Sequence, residues 1–309
     1  MTDYGHDLRF GTFVTPTVRP VRHAVDLAVV ADRAGLDLVT FQDHPYQPSF
    51  HDTWTLLSYV AARTERVGLS GNVLNLPLRQ PAVLARAAAS LDLLSGGRVE
   101  LGLGAGAFWD AIEAMGGHRL SPGQARVALE EAIAVIRAVW AADRRGGVRL
   151  NGRHYRIGGA KRGPAPAHDI AIWVGAYKPR MLDLVGRVAD GWLPSLSYLP
   201  GGPDDLTGMN RAIDEAAETA GRDPAAVRRL LNISGEFAGT STAFLHGPPD
   251  QWAEELAGLV LDHGVSTFVL ATDDAASTET FAKDVAPATR ELVAAERSRG
   301  GGSQPAGRG

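Results

Sequence analysis

Apolar residues follow two different spacings along this chain, and the two spacings alternate from the N-terminus onward. Short apolar runs, typical of buried strands, are followed by longer stretches in which apolar residues recur every three or four positions, typical of helices. Residues 8–14 and 36–41 are predicted as the first two strands, with a helix over 21–34 between them. Strands that alternate with helices in this way favour a parallel sheet.

The clearest unit covers residues 69–109, which we interpret as a strand, a helix and a second strand that ends in glycines. Five apolar residues at helical spacing are predicted to form the buried face of this helix: Leu84, Ala87, Ala88, Leu91 and Leu94. In the second strand, over 99–106, one face carries Gly102 and Gly104. Such a bare face indicates that another group approaches the backbone closely.

The alternation continues to the last predicted helix, over residues 278–297. Further helices are predicted at 52–63, 124–140, 179–188, 205–220 and 249–262, and further strands at 170–175, 191–196, 229–237 and 266–271. The Asn151-Gly152 pair predicts a hairpin inside an insertion at 145–169. Eight strands, each followed by a helix, predict an α/β protein of the (β/α)8 barrel class. An open doubly wound sheet is the competing architecture, but no G-x-G-x-x-G follows the first strand.

Length and composition narrow the class of protein. We expect one domain over residues 1–297 and a disordered glycine-rich tail over 298–309. The formal net charge of −4 provides no basic field for nucleic acid or an anionic membrane, and no apolar run reaches the ~18 residues of a membrane helix. With no cysteine, and no His-x-His after the first strand, we expect no metal site. Because the N-terminus MTDYGHDLRF lacks a basic segment followed by an apolar one, we expect a cytoplasmic protein.

In a barrel of this class, chemistry lies in the loops after the strands. Asp43 and His44 follow the second predicted strand, and an imidazole there suits proton transfer, although a loop histidine can equally cap local backbone. The glycine-rich segment 104–107 exposes amides that admit a flat ring or simply form a turn. The helix start at 175–180 contains Lys178, and it suits a phosphate or is a solvated basic helix start.

Two longer motifs give these residues a common context. The segment from Pro77 to Gly106 reads PLRQPAVLARAAASLDLLSGGRVELGLGAG, and ADGW at 189–192 follows a helix that begins PRML. Together they resemble the bacterial luciferase-like family of flavin- and deazaflavin-dependent oxidoreductases, over nearly the whole chain. The resemblance implies a (β/α)8 barrel with an insertion, which binds coenzyme F420 or FMN at its C-terminal mouth and is usually a homodimer.

The resemblance also assigns roles by position. It implies a non-proline cis peptide between Asn72 and Val73 behind the cofactor ring. The implied cofactor-binding residues are Asn72, Val73, Ala105, Gly106, Gly175, Ala176, Lys178 and Pro179. His44 matches the position proposed to take the substrate proton in the deazaflavin-dependent sugar-phosphate dehydrogenases, with Asp43 beside it.

The substrate side departs from those dehydrogenases. They carry a glutamate where this chain has Ala107, and a lysine where residues 195–198 stand here. A sugar phosphate is therefore not favoured. Five aromatic residues suggest an apolar substrate pocket, although each could equally belong to the core: Trp54, Phe108, Trp109, Trp192 and Tyr198.

Three functions remain open from sequence. The favoured one is hydride transfer between coenzyme F420 and a small organic substrate, with His44 as acid or base. The second is an FMN-dependent monooxygenase that uses O2 and receives reduced flavin from a partner reductase. The third, from another class, is a barrel that binds a flavin or another small ligand without turnover.

Overall fold

The strands at the centre of the molecule form one nearly closed parallel barrel. The computed structural model describes residues 3–301. Its strands are β1 (Arg9–Val14), β2 (Leu38–Phe41), β3 (Gly68–Gly71), β4 (Leu74–Asn75), β5 (Leu101–Gly104), β6 (Val148–Asn151), β7 (Arg156–Ala160), β8 (Ile172–Val174), β9 (Gly191–Trp192), β10 (Arg228–Ile233), β11 (Glu236–Phe237), β12 (His246–Gly247) and β13 (Thr267–Ala271). Nine of them are hydrogen-bonded in the order β3, β2, β1, β13, β10, β9, β8, β5, β4.

The ends of this sheet meet around one broken strand. β3 and β4 are consecutive pieces of chain, and β4 pairs with β5 while a bridge between Leu69 and Val99 joins β3 to the residues before β5. Counting β3 and β4 as one, the barrel has eight parallel strands. The predicted (β/α)8 class is therefore confirmed.

Helices cover the outside of the barrel. They are α1 (His23–Ala34), α2 (Thr53–Ala61), α3 (Pro81–Ser95), α4 (Trp109–Ala114), α5 (Pro122–Trp140), α6 (Pro179–Val188), α7 (Asp205–Thr219), α8 (Pro249–His263), α9 (Ala275–Thr280) and α10 (Ala286–Gly301). The sequence did not indicate α4. Residues 298–301, expected in the tail, continue α10, and the rest of that predicted tail lies outside the described residues. Within residues 3–301, we find no helix with the length and apolarity needed to cross a membrane.

Side-chain and backbone caps explain where helices begin and end. The Asp52 carboxylate accepts a hydrogen bond from the Thr55 N–H at 2.8 Å, so Asp52 is the expected N-cap of α2. Gly96 ends α3 in the left-handed conformation at φ 74°. α5 begins two residues before the predicted start because Ser121 and Gln124 form a capping box around Pro122.

The insertion contains the predicted hairpin, but its turn is longer than expected. β6 and β7 pair antiparallel, and Asn151 lies opposite Arg156, which leaves four residues in the turn instead of an Asn-Gly pair. The Glu131 carboxylate on α5 accepts the backbone N–H groups of Arg153, His154 and Tyr155. These three hydrogen bonds hold the wider turn against α5.

The predicted buried face of α3 is partly wrong. Leu84, Ala88 and Leu91 are buried, but Leu94 is 86% exposed. The buried side instead includes the Asp92 carboxylate, which accepts the N–H groups of Val99 and Ala167. The buried face is therefore rotated from the predicted one, and it includes a carboxylate that satisfies backbone donors.

Close contacts between strands explain the glycine-rich strand face. A Cβ atom at Gly102 would overlap the carbonyl oxygen of Gly71 on β3, and one at Gly104 would lie 2.7 Å from Cγ2 of Val73. Inside the barrel, Gly191 leaves space for the Trp173 indole, which a Cβ there would approach to 2.5 Å. The group that approaches the bare face is therefore the neighbouring strand of the barrel itself.

We predict that Gly102→Ala destabilises the fold by about 3 kcal/mol, because the added methyl meets rigid backbone of the adjacent strand. Chemical denaturation followed by circular dichroism measures the change in the free energy of unfolding. Gly258→Ala in α8 is the matched control, since a Cβ there meets no atom within 4 Å and alanine favours a helix by about 0.5–1 kcal/mol. Equal stability of the two variants would show that the barrel tolerates a wider strand spacing.

Candidate active site

A cavity of about 570 Å³ opens at the carboxyl ends of the barrel strands. It is bounded by the loops after β2, β3, β5, β8 and β9. Twelve of the residues selected from sequence line it: Asp43, His44, Asn72, Val73, Ala105, Gly106, Phe108, Trp109, Gly175, Ala176, Lys178 and Tyr198. The structure thus brings residues from five loops around one space.

Three selected residues do not line the cavity. Trp192 is 1% exposed, and its indole N–H donates to the Ala176 carbonyl at 2.9 Å, so it belongs to the core beneath the loop after β8. Trp54 lies in α2 and packs against the main core. Pro179 is the first residue of α6, directly after Lys178. The substrate-pocket assignments of Trp54 and Trp192 are therefore corrected to structural ones.

Asp43 is held in a buried ion pair. Its side chain is 1% exposed, and Arg79 donates to its two oxygens from Nε and Nη2, each at 2.7 Å. The Asn75 N–H donates to the same carboxylate at 2.8 Å. Burial opposes the charge of Arg79, yet the hydrogen bonds and charges of Asp43 and Asp52 raise its pKa above the ordinary value.

The expected catalytic role of Asp43 is accordingly corrected. Both of its oxygens are used by donors that hold the loop after β2 to the segment after β4, so it cannot take a proton from substrate without breaking that link. Arg79 was part of the motif seen in sequence but was not selected. The 36 positions between Asp43 and Arg79 gave no sequence signal for the pair.

His44 lies at the cavity wall with a different partner from the expected one. Its Nδ1 is 2.7 Å from the Tyr46 hydroxyl, and its ring contacts Phe108 edge-on at 5.5 Å between centroids. Burial lowers the pKa of His44 below its ordinary value, and the charge of Asp43 opposes that shift. His44 is therefore neutral around pH 7.

A pair of asparagines crosses the floor of the cavity. The peptide bond between Asn72 and Val73 is cis, in agreement with the expectation from resemblance. Asn72 Nδ2 donates to Asn232 Oδ1 at 2.7 Å, and Asn232 Nδ2 donates to Ser195 Oγ at 3.1 Å. These contacts connect the end of β3 to β10 and to the loop after β9. Asn232 was missed because one asparagine in an apolar strand gives no signal by itself.

Asn75 has an unused acceptor beside the cavity. Its side chain is 7% exposed, and its Oδ1 has no hydrogen-bond partner within residues 3–301. A buried acceptor without a donor costs about 1–3 kcal/mol. Asn75 lines the cavity, but its Oδ1 atom is buried, so a ligand would reach this acceptor only if the side chain turned.

The start of α6 forms a cationic end of the cavity. Lys178 is exposed at the N-cap position and has no carboxylate within ion-pair distance in the described part of the chain, and the same holds for Arg180. First-turn N–H groups of a helix lack intrahelical acceptors, and the helix dipole favours an anion there. This end therefore suits a phosphate group.

Aromatic side chains form the outer wall. Gly106 has φ 110°, and a Cβ there would lie 2.7 Å from the Trp109 ring, so only glycine lets Trp109 pack at this point. Phe108 has φ 51° and is 65% exposed at the mouth. On the opposite side, the Tyr177 hydroxyl accepts the Ser195 N–H at 2.8 Å and its ring contacts Tyr198.

Comparison with known proteins places this geometry in a family. Residues 8–235 match the family model described as luciferase-like monooxygenase. The chain is 34% identical over 217 residues to a 5,10-methylenetetrahydromethanopterin reductase of Methanolobus tindarius, covering 70% of this chain and 62% of that protein. It is 32% identical over 236 residues to an F420-dependent glucose-6-phosphate dehydrogenase of Nocardia farcinica, a match that covers 74% of this chain and 68% of that protein. The first match thus spans less than two thirds of that relative.

The fold agrees with solved structures as well. The F420-dependent tetrahydromethanopterin reductase of Methanopyrus kandleri superposes with a TM-score of 0.77 at 20% identity, over 91% of this chain and 99% of that chain. The match to the family model covers most of the chain and includes the strands that carry His44, Asn72 and Lys178. The chain therefore belongs to the luciferase-like monooxygenase family.

Proposed function

We propose that this protein is an oxidoreductase that transfers a hydride between coenzyme F420 and a small, uncharged organic substrate. The observation that carries the proposal is the cavity, which joins a floor suited to a flat ring, a cationic helix start and a neutral histidine. Relatives named as F420-dependent enzymes support the choice of F420 over FMN. When bound, F420 would supply or accept the hydride.

The cofactor end is assigned to small residues and backbone. Val73, Ala105, Gly106, Gly175 and Ala176 would contact the ring and its side chain, because they line the cavity with little side chain in the way. Asn72 would support the ring from the floor. Lys178 and the first turn of α6, which begins at Pro179, would bind the phosphate.

The substrate end is assigned to His44 and the aromatic wall. His44, Asp43 and Lys178 are the ionisable residues of acid, base or histidine type in the lining, and Asp43 is neutralised by Arg79. If Lys178 holds the cofactor phosphate, the lining offers no second cation for a phosphorylated substrate. We therefore propose an uncharged substrate whose body contacts Phe108, Trp109 and Tyr198.

The first prediction concerns the cofactor. Titration with F420 will quench tryptophan fluorescence, because Trp109 lines the cavity, and Lys178→Ala will weaken binding by about tenfold, or ~1.4 kcal/mol. Lys283→Ala is the charge-matched control, since Lys283 lies on the far segment before α10 and pairs with Glu279. Quenching by FMN with no response to F420 would replace the proposal by the FMN-dependent alternative. No response to either cofactor would refute both.

The second prediction concerns proton transfer. His44→Ala will lower turnover with F420 by roughly 10²–10⁴-fold while the dissociation constant of F420 changes little, because the imidazole serves the substrate end. His263→Gln, at the C-terminal end of α8, is the control. Steady-state kinetics and the same quenching titration measure both quantities. Full turnover by His44→Ala would remove the proposed role.

We also propose that the protein is a homodimer through α2 and α3. Val83 and Leu94 are 67% and 86% exposed on one side of α3. Tyr59 is also exposed, on α2, which packs beside α3. Ala87, between them on α3, was expected to be buried. Apolar residues clustered on adjacent helices are typical of a contact between subunits.

Introducing a charged side chain on this surface tests whether it forms the proposed dimer interface. Leu94→Glu will convert the protein to a monomer in size-exclusion chromatography with light scattering, because the carboxylate would be buried without a partner. Leu292→Glu on α10 places the same charge on an exposed leucine elsewhere and serves as the control. A dimer that survives Leu94→Glu would place the interface on another surface.

A further inference from the structure

We propose that Tyr46 positions His44 as a proton donor, by holding the imidazole in the tautomer with its proton on Nε2 and by relaying a proton to Nδ1. This inference rests on the proposed function for its reaction, but the tautomer itself is a property of the protein alone. It identifies Tyr46, which was not selected from sequence, as a positioning residue.

The geometry fixes the imidazole on several sides. The Tyr46 hydroxyl lies 2.7 Å from Nδ1 of His44, and the two ring centroids are 5.4 Å apart. Phe50 and Phe108 contact the imidazole at 6.4 and 5.5 Å between centroids. A ring enclosed in this way keeps one orientation, so Nε2 is the nitrogen left without a protein partner in the described structure.

The hydrogen-bond partners around Tyr46 determine which nitrogen of His44 carries the proton. The Tyr46 hydroxyl has a single hydrogen, and its acceptor among the described residues is either His44 or a nearby side-chain oxygen. The Asp43 oxygens are taken by Arg79 and the Asn75 N–H. The Asn75 side chain lowers the pKa of Tyr46 by a hydrogen bond, as an amide N–H that donates to the phenolic oxygen does, while Asn75 Oδ1 accepts no hydrogen bond from residues 3–301. The hydroxyl therefore donates to Nδ1. A neutral imidazole that accepts at Nδ1 carries its proton on Nε2.

The charges around His44 favour a neutral ring. Asp43 is the nearest charged group on its own loop, and Arg79 neutralises it from the segment before α3. Phe50 and Phe108 are uncharged, and the remaining cation of the lining is Lys178 at the start of α6. Burial lowers the pKa of His44, while burial and Asp43 raise the pKa of Tyr46. Both side chains are thus neutral near pH 7.

This arrangement supports reduction of a carbonyl group. The hydride from reduced F420 would add to the carbonyl carbon, and the π electron pair would move to the oxygen as the C=O double bond becomes single. The oxygen would take the proton from Nε2 while the Tyr46 proton moves to Nδ1. Solvent would then protonate Nε2 as Nδ1 returns its proton to the Tyr46 oxygen, which restores the starting tautomer. The carbonyl gains two electrons and F420 loses two, so the relay lets a neutral histidine donate without becoming an anion.

The tautomer is tested without cofactor or turnover. Long-range proton–nitrogen NMR spectra of the full-length protein distinguish a protonated from an unprotonated ring nitrogen, and loss of a signal in His44→Gln assigns the ring. We expect Nε2–H with unprotonated Nδ1 in the wild type, and a mixture of both tautomers in Tyr46→Phe. Tyr155→Phe, in the insertion, removes a hydroxyl outside the cavity and should change nothing. A wild-type ring protonated at Nδ1 overturns the proposal even if Tyr46→Phe fails to fold.

The relay is tested by the pH dependence of kcat. In wild type, kcat should stay flat across neutral pH because neutral His44 can donate. In Tyr46→Phe only the imidazolium can donate, so kcat should be at least about tenfold lower at pH 7.5 and should fall further as pH rises above the His44 pKa, which burial holds below its ordinary value. KM should change little. Parallel profiles in the two proteins overturn the relay.

The expected tautomer in a protein with no F420 turnover would support the positioning role and refute the proposed function.

Discussion

The buried ion pair between Asp43 and Arg79 holds the active-site region together. Arg79 reaches both Asp43 and Asp52, so one guanidinium joins the loop after β2, the start of α2 and the segment before α3. Breaking such a pair from one side costs about 3–5 kcal/mol, because the remaining charge stays buried without a partner. His44 directly follows Asp43, so its place at the cavity wall depends on this link.

A second constraint comes from the interior of the barrel. Trp173 fills the space between strands where Gly191 provides no side chain, and Gly102 and Gly104 let the broken strand of β3 and β4 lie close to β5. The break places the Asn72–Val73 peptide at the level of the cavity floor, where Asn72 meets Asn232 from the opposite side of the barrel. Small residues in the strands thus bring polar groups of distant strands together.

Sequence reasoning predicted the barrel because strand and helix periodicity are local properties, and it found His44 because residues at strand ends face the mouth. It misassigned Asp43, since adjacency in the chain does not reveal that the carboxylate would meet Arg79, 36 positions away. Leu94 satisfied the helical pattern, but the pattern does not show which surface covers a residue. Asn232 acquires its meaning only from a tertiary contact, and Tyr46 only from the side-chain geometry of the loop it shares with His44.

The distribution of charge around the cavity connects these points to specificity. Arg79 cancels the charge of Asp43, so the His44 end of the cavity is neutral, whereas Lys178 and the dipole of α6 make the other end cationic. An anionic tail and an uncharged reacting group would therefore be drawn to opposite ends. Because the same ion pair that neutralises Asp43 also fixes the loop carrying His44, the proposed proton donor and the proposed preference for an uncharged substrate depend on one structural feature.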